Sequence, residues 1–508
     1  MSSKPIRTAL ISVFSKDGLE PIIRLLNKQG VKIYSTGGTQ EYIEQLGVAV
    51  IPVEGLTGYP SILEGRVKTL HPKIFGGILA RGREDHLAQL SQYDIPEIDL
   101  VIVDLYPFAQ TVASTDDSDA IIEKIDIGGI SLIRAAAKNF QDVVIIPSVN
   151  DYDEFLQILS SKEGSTEIED RRRWAAKAFA VSSHYDSAIF QWFNRDEAIP
   201  VFAEHHLQSK TLRYGENPHQ KALFYGDLEQ QFEFLNGKEL SYNNLVDVDA
   251  GVQLMSEFEH ATPTFAILKH TNPCGIATRP TLPEAWDVAL ACDPVSAFGG
   301  ILISNREIDI ETALKIDTIF YEVLIAPAFS ADALDLLRKK KNRILLRIHS
   351  FATQPVLFKT LLNGVISQDA DQRTENMDDL RTVTKASPTA EQAEDLLFAI
   401  KCVKHLKSNT IVLVRDQQMI GMGSGQTSRI DAMRQSIAKA HAFGFETAGA
   451  VMASDAFFPF ADSVAIAREA GILAISQPGG SIKDNESIEF CDLHGMAMVM
   501  TGIRHFKH

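Results

Sequence analysis

Phe265-Ala-Ile-Leu-Lys269-His270-Thr-Asn272-Pro273-Cys-Gly275 is the stretch on which the reading of this chain turns. Four apolar residues, Phe265 to Leu268, predict a short buried strand. The strand ends on a lysine and a histidine side by side, and Asn272-Pro273 with Gly275 predicts a turn after them. Such a pair at the C-terminal edge of a strand sits where open α/β sheets collect ligands. An ammonium group stabilises developing negative charge and an imidazole takes a proton near neutral pH, so the pair suits acyl transfer to a weak amine. An arbitrary Lys-His dipeptide is more often a surface lysine beside a capping histidine, and the rest of the chain has to decide between the two.

The length of 508 residues predicts roughly three units at about 100–200 residues each. With 45% hydrophobic and 23% charged residues the composition is that of an ordinary globular protein. Lys+Arg total 49 against 66 Asp+Glu, a net charge of -17, which argues against a nucleic-acid or anionic-membrane partner. An anionic substrate would need a local basic pocket. Cys274, Cys292, Cys402 and Cys491 are scattered, with no Cys-x-x-Cys, as expected of free thiols in a reducing compartment without a zinc ribbon. The run Thr8–Phe14 behind Lys4 and Arg7 is too short for a signal peptide, and no stretch approaches the ~20 apolar residues of a membrane span. A soluble cytoplasmic protein is expected. No internal repeat of fixed period and no low-complexity tract is found.

In the first third, strand-like Thr8–Phe14 is followed by Leu19, Ile22, Ile23 and Leu26 at helical spacing. A second strand, Val31–Tyr34, leads into Ser35-Thr36-Gly37-Gly38-Thr39 and another helix. Glycines that let the backbone approach, hydroxyls that donate and a helix N-terminus together make a phosphate cradle, although a Gly-Gly turn is usually only a turn. Gly65-Arg66-Val-Lys68-Thr69-Leu-His-Pro72 places two cations and a hydroxyl together, the makings of a local anion site or of a solvated edge. Asp99–Val103 is a strand ending on Asp104 and Tyr106. Asp126 precedes Gly128-Gly129 at the start of a helix that carries Arg134 and Lys138 on one face. Alternating strands and helices predict a mostly parallel sheet. Lys16, Gly37, Gly38, Thr39, Arg66, Lys68, Tyr106, Asp126 and Lys138 then converge at one edge, which is less easily explained as five unrelated strand ends than as one site. A helix over Arg171–Phe193 closes the domain.

A linker is expected over Asn194–Lys210. Arg213-Tyr214 and Asn217-Pro-His-Gln220 form a polar loop, Asn236-Gly237 reads as a hairpin turn, and Ser241–Asp247 opens a helix. Asp293–Gly300, with Phe298 beside two glycines, is a loop entering a buried strand, and Glu322 opens another. Residues ~368 to ~388 are polar and irregular, as a connection between lobes would be. Thr389-Ala-Glu-Gln392 is a capping box. Lys407-Ser408-Asn409 ends the helix that follows. Gly421–Arg429 is Gly-rich but has Ser428 where a dinucleotide fingerprint needs a third glycine. Ser454–Phe460 is an aromatic turn that would clamp a planar ring or plug a core. The chain ends on the basic stretch Arg504–His508.

In their order and over nearly the whole chain, these motifs resemble the bifunctional purine-biosynthesis family that joins an inosinate (IMP) cyclohydrolase domain to an aminoimidazole-carboxamide ribonucleotide (AICAR) formyltransferase domain. The resemblance rests on Ser35–Thr39, Gly65–Pro72, Leu105-Tyr-Pro-Phe108, Ile125–Gly129, Arg134–Asn139, Arg213-Tyr214, Asn217–Gln220, Lys269-His270, Ser408-Asn409, Ser454–Phe460 and the Arg504/Phe506/His508 terminus. It implies an α/β protein with a methylglyoxal-synthase-like (MGS-like) parallel-sheet domain over 1–198. A transformylase domain over 199–508 would follow, in two cytidine-deaminase-like lobes, about 199–370 and 388–508. Zinc deaminases need Pro-Cys-x-x-Cys. Pro273-Cys274 is followed by Gly275-Ile276-Ala277, so no metal is expected.

The resemblance further implies the last two steps of IMP synthesis. The formyl group of the co-substrate 10-formyltetrahydrofolate passes to AICAR, and the product, FAICAR, closes to IMP with loss of water. The implied catalytic residues are Lys269, His270 and Asn409 for transfer, and Lys68, Tyr106, Asp126 and Lys138 for ring closure. Ser12, Lys16, Thr36, Gly37, Gly38, Thr39, Arg66, Thr69, Asp104, Gly128 and Gly129 would hold the cyclohydrolase nucleotide. Arg213, Tyr214, Asn244, Gly299, Glu322, Arg504 and Phe506 would hold the transformylase nucleotide. Val295, Ser296, Phe298, Ala456, Phe457, Phe458 and Pro459 would border the folate. A homodimer sharing its transferase sites is implied as well. Phe14, Asp104 and Glu322 depart from residues common among relatives. Two other classes stay open: a phosphate-sensing regulatory module for the first domain, and a ligand-binding scaffold for the second.

Overall fold

The structure, a computed structural model, describes residues 3–60, 62–63 and 67–508. It divides into two compact units, up to Leu207 and from Gln208 onward. The 30-residue helix Ile168–Glu197 closes the first unit. Segment 198–207 folds back on that helix, with the Gln191 side chain donating to the Ala203 carbonyl at 2.8 Å and the His184 and His205 rings 5.4 Å apart.

The first unit is built on a five-stranded sheet of β1 (Thr8–Ser12), β2 (Lys32–Ser35), β3 (Ile51–Pro52), β4 (Leu100–Val103) and β5 (Val144–Ile146), in the order β3-β2-β1-β4-β5. Every pairing is parallel. Helices cover both faces, so β4 is Leu-Val-Ile-Val and entirely buried rather than alternating. From β1 the chain runs to β2 and β3 on one side, and it returns to β4 and β5 on the other. The carboxyl ends of β1 and β4 therefore form a topological switch point.

The second unit is built on one twelve-stranded sheet made of two halves with the same topology, beside two separate two-stranded sheets within 209–225 and 356–369. The first half contains β6 (Phe232–Asn236), β7 (Thr264–Lys269), β8 (Asn272–Thr278), β9 (Ile301–Ser304), β10 (Val323–Ala326) and β11 (Ile344–Ile348). The second contains β12 (Arg381–Thr382), β13 (Ile411–Arg415), β14 (Gln418–Gly423), β15 (Val451–Ser454), β16 (Ala474–Gln477) and β17 (Ala497–Met500). The order is β6-β11-β10-β9-β7-β8-β14-β13-β15-β16-β17-β12, a palindrome about the β8–β14 junction, where Ala277 pairs with Gln418. In each half the second and third strands form a tight hairpin, and the first strand lies antiparallel to the last. Each hairpin is preceded by a 15-residue helix with a capping box, Tyr242–Ser256 or Ala390–Lys404, and followed by a shorter helix, Leu282–Cys292 or Arg429–Ala442.

The core follows this plan. On one face, residues of both halves, among them Val252, Ile276, Ile303, Ile400, Val403 and Val414, make a single cluster. On the other face each half has a core of its own, with Trp286 in the first and Met433 in the second. Phe265 and Ile267 point to that second face, Ala266 and Leu268 to the first. The expected hairpin at Asn236-Gly237 does not form. Gly237 instead lies where a Cβ would come 2.4 Å from the Arg343 carbonyl oxygen, a close approach to the neighbouring strand β11. No helix among the described residues is long and apolar enough to cross a membrane.

Candidate functional site

At the switch point of the first unit, the carboxylate of Asp104, just beyond β4, accepts the N–H of Ser15 at 3.0 Å and that of Phe14. Burial pushes the Asp104 carboxyl up against those hydrogen bonds and the charge of Lys16. Both its oxygens are taken by main-chain donors, so Asp104 shapes the loop after β1 and Ser12. The Lys16 ammonium donates to the carbonyls of Val13 (2.6 Å) and Phe14 (3.0 Å), and burial lowers its pKa against the pull of Asp104. Thr39 Oγ1 accepts from the Val13 N–H at 3.1 Å and donates to the Val13 carbonyl at 2.9 Å.

The helix Gly37–Gln45 starts behind Thr36, whose hydroxyl donates to Glu54 at 3.0 Å. Gly37 has φ +55°, and a Cβ there would lie 3.1 Å from Lys68 Nζ. Gly38 has open space where its Cβ would be. Thr69 Oγ1 stands 3.1 Å from the Cβ position of Gly128. Asp126 accepts the Gly129 N–H at 2.6 Å. Burial raises the Asp126 carboxyl despite that bond, and burial together with the Asp126 charge raises the Tyr106 phenol. The Phe14 ring meets Tyr106 edge-on at 5.6 Å. Lys68, Thr69, Tyr106, Asp126 and the two Gly-Gly helix starts are thus neighbours around one edge of the sheet.

In the second unit, β7 ends on Lys269, and the reversal is made by His270 and Thr271 alone, with φ of 52° and 63°. The turn expected over Asn272–Gly275 is instead strand β8. A register shift between Ile267 and Leu268 accommodates Pro273. Gly275 is where β8 runs beneath the helix Leu282–Cys292, and a Cβ there would come 1.9 Å from the Ala289 carbonyl oxygen. The Thr271 N–H donates to Asp247 at 2.6 Å. The topologically matching hairpin Asp416-Gln417 is held the same way, with its two N–H groups donating to Asp395 at 2.9 and 2.6 Å. Lys269 is half-buried and donates to the Phe298 carbonyl at 2.8 Å, and His270 is exposed.

Around this hairpin, Val295 (75%) and Phe298 (61%) are exposed. The Ser296 N–H donates to Asp293 at 2.8 Å, and Gly299, at φ +77°, donates to Phe320. Glu322 pairs with Lys238 at 2.8 Å. The Arg213 guanidinium lies 4.7 Å from the Tyr214 ring centroid and donates to its hydroxyl at 2.9 Å. The side-chain oxygen of Asn244 is committed to the Ser241 cap.

The second half holds a cavity of about 440 Å³ lined by Asn409, Thr427–Ile430, Ala456, Phe457, Pro459, Phe460, Asp462, Ser463, Arg504 and Phe506. Asn409 donates to the carbonyls of Gln426 (3.0 Å) and Thr427 (3.3 Å) and accepts from Arg429 at 2.8 Å. Arg429 also donates to Ser454 and forms an ion pair with the buried Asp455. The Ser424 hydroxyl lies 3.3 Å from both the Asn272 side-chain oxygen and the Lys407 carbonyl, and its loop reaches the cavity-lining Asn409 through Gln426.

A family model described as the AICARFT/IMPCHase bienzyme matches residues 136–439, and one described as the MGS-like domain matches residues 18–131. The "Bifunctional purine biosynthesis protein PurH" of Bacteroides thetaiotaomicron is 57% identical over 100% of this chain and 99% of its own. Those of Chlorobium phaeobacteroides (46% over the whole of both chains) and Acetivibrio thermocellus (45% over 99% and 100%) are similar as well. The chain belongs to the AICARFT/IMPCHase bienzyme family. It is a bifunctional enzyme of IMP synthesis that carries out formyl transfer and the cyclohydrolase step.

In this bienzyme several expected site residues stand differently from their sequence reading. Phe458 is fully buried, in the core of the second half, with its N–H bonded to Gln477, and it does not line the cavity; Phe460, part of the expected aromatic turn but outside the folate set, does. Lys138 is exposed at the far end of the helix Gly128–Lys138, ~15 Å of helical rise from Gly128, so this chain does not bring it to the Lys68 cluster. Arg66 lies outside the described residues. Of the residues expected to border the folate, Ala456, Phe457 and Pro459 line the cavity, whereas Val295, Ser296 and Phe298 do not, and the Phe298 carbonyl accepts from Lys269. Arg429 is not visible as a site residue in the sequence, because its Gly-rich neighbourhood resembles a dinucleotide loop that lacks its third glycine. Its place after Ser428 at a helix start was the available signal.

Proposed function

We propose that the hairpin Lys269–Thr271 and the Asn409 cavity carry formyl transfer from 10-formyltetrahydrofolate to AICAR. The 5-amino nitrogen of AICAR attacks the formyl carbon, His270 takes the proton, and Lys269 stabilises the oxyanion that forms. Collapse releases tetrahydrofolate, whose nitrogen leaves with a proton. Asn409, itself oriented by Arg429, directs the formyl oxygen. Arg504 and Phe506 hold the nucleotide with Arg213 and Tyr214, and Phe457 and Pro459 border the pterin. The observation that carries this reading is a Lys-His pair at a two-residue turn whose Asn272 meets Ser424, in the loop that holds the cavity-lining Asn409. The exposure of His270, Val295 and Phe298 supports a homodimer in which a second copy covers this face. No metal takes part in the scheme.

For ring closure, the carboxamide nitrogen of FAICAR attacks its own formyl carbon and water leaves. The reacting groups are already joined, so the protein mainly folds them together and manages charge. Lys68 stabilises the oxygen, and Asp126 and Tyr106, whose pKa values are both raised by burial, move protons. The helix starts at Gly37 and Gly128, with Lys16, Thr39 and Thr69, hold phosphate and ribose.

The test mixes the protein with AICAR and 10-formyltetrahydrofolate and follows inosinate by absorbance. His270→Ala should abolish transfer and leave closure of supplied FAICAR intact; substantial residual transfer removes His270 from the scheme. Lys68→Ala should slow closure roughly 100-fold, and an unchanged rate refutes its role. Sedimentation of the intact protein checks the dimer.

A further inference from the structure

The last six residues run as an extended strap whose side chains alternate. Arg504 and Phe506 line the cavity, with the guanidinium 4.6 Å from the Phe506 ring centroid, while His505 is 3% exposed and points the other way. The strap is stitched to the second half by the His505 N–H on the Asp455 carbonyl (3.1 Å) and by mutual hydrogen bonds between Ser408 and Lys507. The His505 ring sits between two carboxylates: Nδ1 is 2.6 Å from Asp371 and Nε2 is 2.9 Å from Glu375. Both carboxylates belong to the connector between the two halves, after the hairpin Val356–Asp369. A carboxylate only accepts, so both ring nitrogens must donate, and the ring that fits this geometry is the imidazolium.

We propose that His505, clamped as a cation between Asp371 and Glu375, is a positioning residue of the formyl-transfer site that holds Arg504 and Phe506 in the cavity. The inference rests on the assignment of Arg504 and Phe506 to the nucleotide made above. The charged groups acting on the ring are these two carboxylates. Around them, Lys404 acts on Asp371 and is paired with Glu257. Asp455, whose carbonyl accepts the His505 N–H, is paired with Arg429, and Lys507 lies two residues on along the strap. Burial pushes the imidazole down, but Asp371 and Glu375 overcome it and raise the pKa to about 9. The clamp is therefore complete below the ordinary histidine value and is lost as pH rises through about 9.

The experiment measures the pH dependence of KM for AICAR in the full-length protein, with closure of supplied FAICAR on the same samples as the control for folding. The wild-type KM should rise about tenfold as pH passes from about 7.5 to about 9.5, with kcat changing less than about twofold and closure unaffected beyond it. His505→Gln should show the high KM already at neutral pH and no further rise. Asp371→Asn, at a half-exposed side chain that tolerates change, should move the rise to lower pH. Arg504→Ala is the comparator: an unchanged KM there overturns the nucleotide assignment itself. A raised KM in R504A with a wild-type profile in H505Q, or an unmoved rise in D371N, overturns the clamp alone.

Discussion

Replacing Gly275 by alanine tests how the transfer hairpin is held. The backbone at Gly275 does not need glycine for its φ, since it is absent from the positive-φ positions. Space is the constraint: the added Cβ would sit 1.9 Å from the Ala289 carbonyl oxygen and 3.1 Å from Cys292 Cβ, where ordinary contact begins at 3.4 Å. The helix Leu282–Cys292 or strand β8 must therefore retreat by about 1.5 Å, the difference between 3.4 and 1.9 Å. The obstacle is helix backbone, not a flexible side chain, and the helix buries Ala285, Trp286 and Ala289. The cost belongs at the upper end of overpacking, about 3 kcal/mol, or a fall of roughly 6–12 °C in the melting of the second unit. A displacement of this size reaches His270 five residues away, and a misplacement of ~1 Å costs ~100-fold in rate. Differential scanning calorimetry and paired assays on Gly275→Ala should show the lower transition and the loss of transfer, with closure unchanged. A melting temperature within about 1 °C of wild type, together with normal transfer, would refute the argument that the glycine is there for close packing.

Three further outcomes are expected. Asp247→Ala removes a hydrogen bond to a charged acceptor worth roughly 1.5–3 kcal/mol from a turn with two left-handed residues, so transfer should fall ~10–100-fold and Asp247→Asn should fall less; equal activity in both variants contradicts this role. Burial pushes the Glu257 carboxyl up, but hydrogen bonds from His405, Lys404 and Thr374 hold it down to about 2. Its stabilisation is thus present above the ordinary glutamate value and is lost as pH falls toward about 2. Glu257→Gln, which leaves the buried Lys404 unpaired, should cost about 3–5 kcal/mol at neutral pH and flatten the acid dependence of melting; a melting curve as steep in acid as the wild type's would count against it. Gly37→Ala, strained at φ +55° and crowding Lys68 Nζ at 3.1 Å, should slow closure and spare transfer, as measured with supplied FAICAR.

Much of this was legible in the residues. Apolar runs such as Leu100–Val103 and Phe265–Leu268 are buried strands because nothing polar interrupts them, and several candidate groups, Asp104, Lys269, Gly37 and Gly128 among them, end or follow such a run or open a helix. Local pattern misled where a residue answers to a distant partner. Gly275 looked like a turn former but is glycine because the Ala289 backbone comes too close, and Gly237, at φ +109°, answers both to its own backbone conformation and to the Arg343 carbonyl. Phe458 looked like its neighbours Phe457 and Phe460 but alone turns inward to the core. Lys138 shares a motif with Asp126, yet helical rise separates them.

By itself the sequence determined the element types, the alternating α/β plan and the chemistry available: a Lys-His pair, a Lys-Tyr-Asp set and Gly-Gly helix starts, all readable because their signals are local. Two similar lobes were already implied by the resemblance, but only the tertiary structure decided that they join in one continuous sheet as a palindrome about the Ala277 and Gln418 pair, with both hairpins pinned by a helix aspartate. Such a repeat is preserved in backbone pairing while the side chains diverge, so it leaves no period in the sequence. The same holds for the His505 clamp, whose members are more than a hundred residues apart in the chain and become one charge cluster only when connector and strap meet.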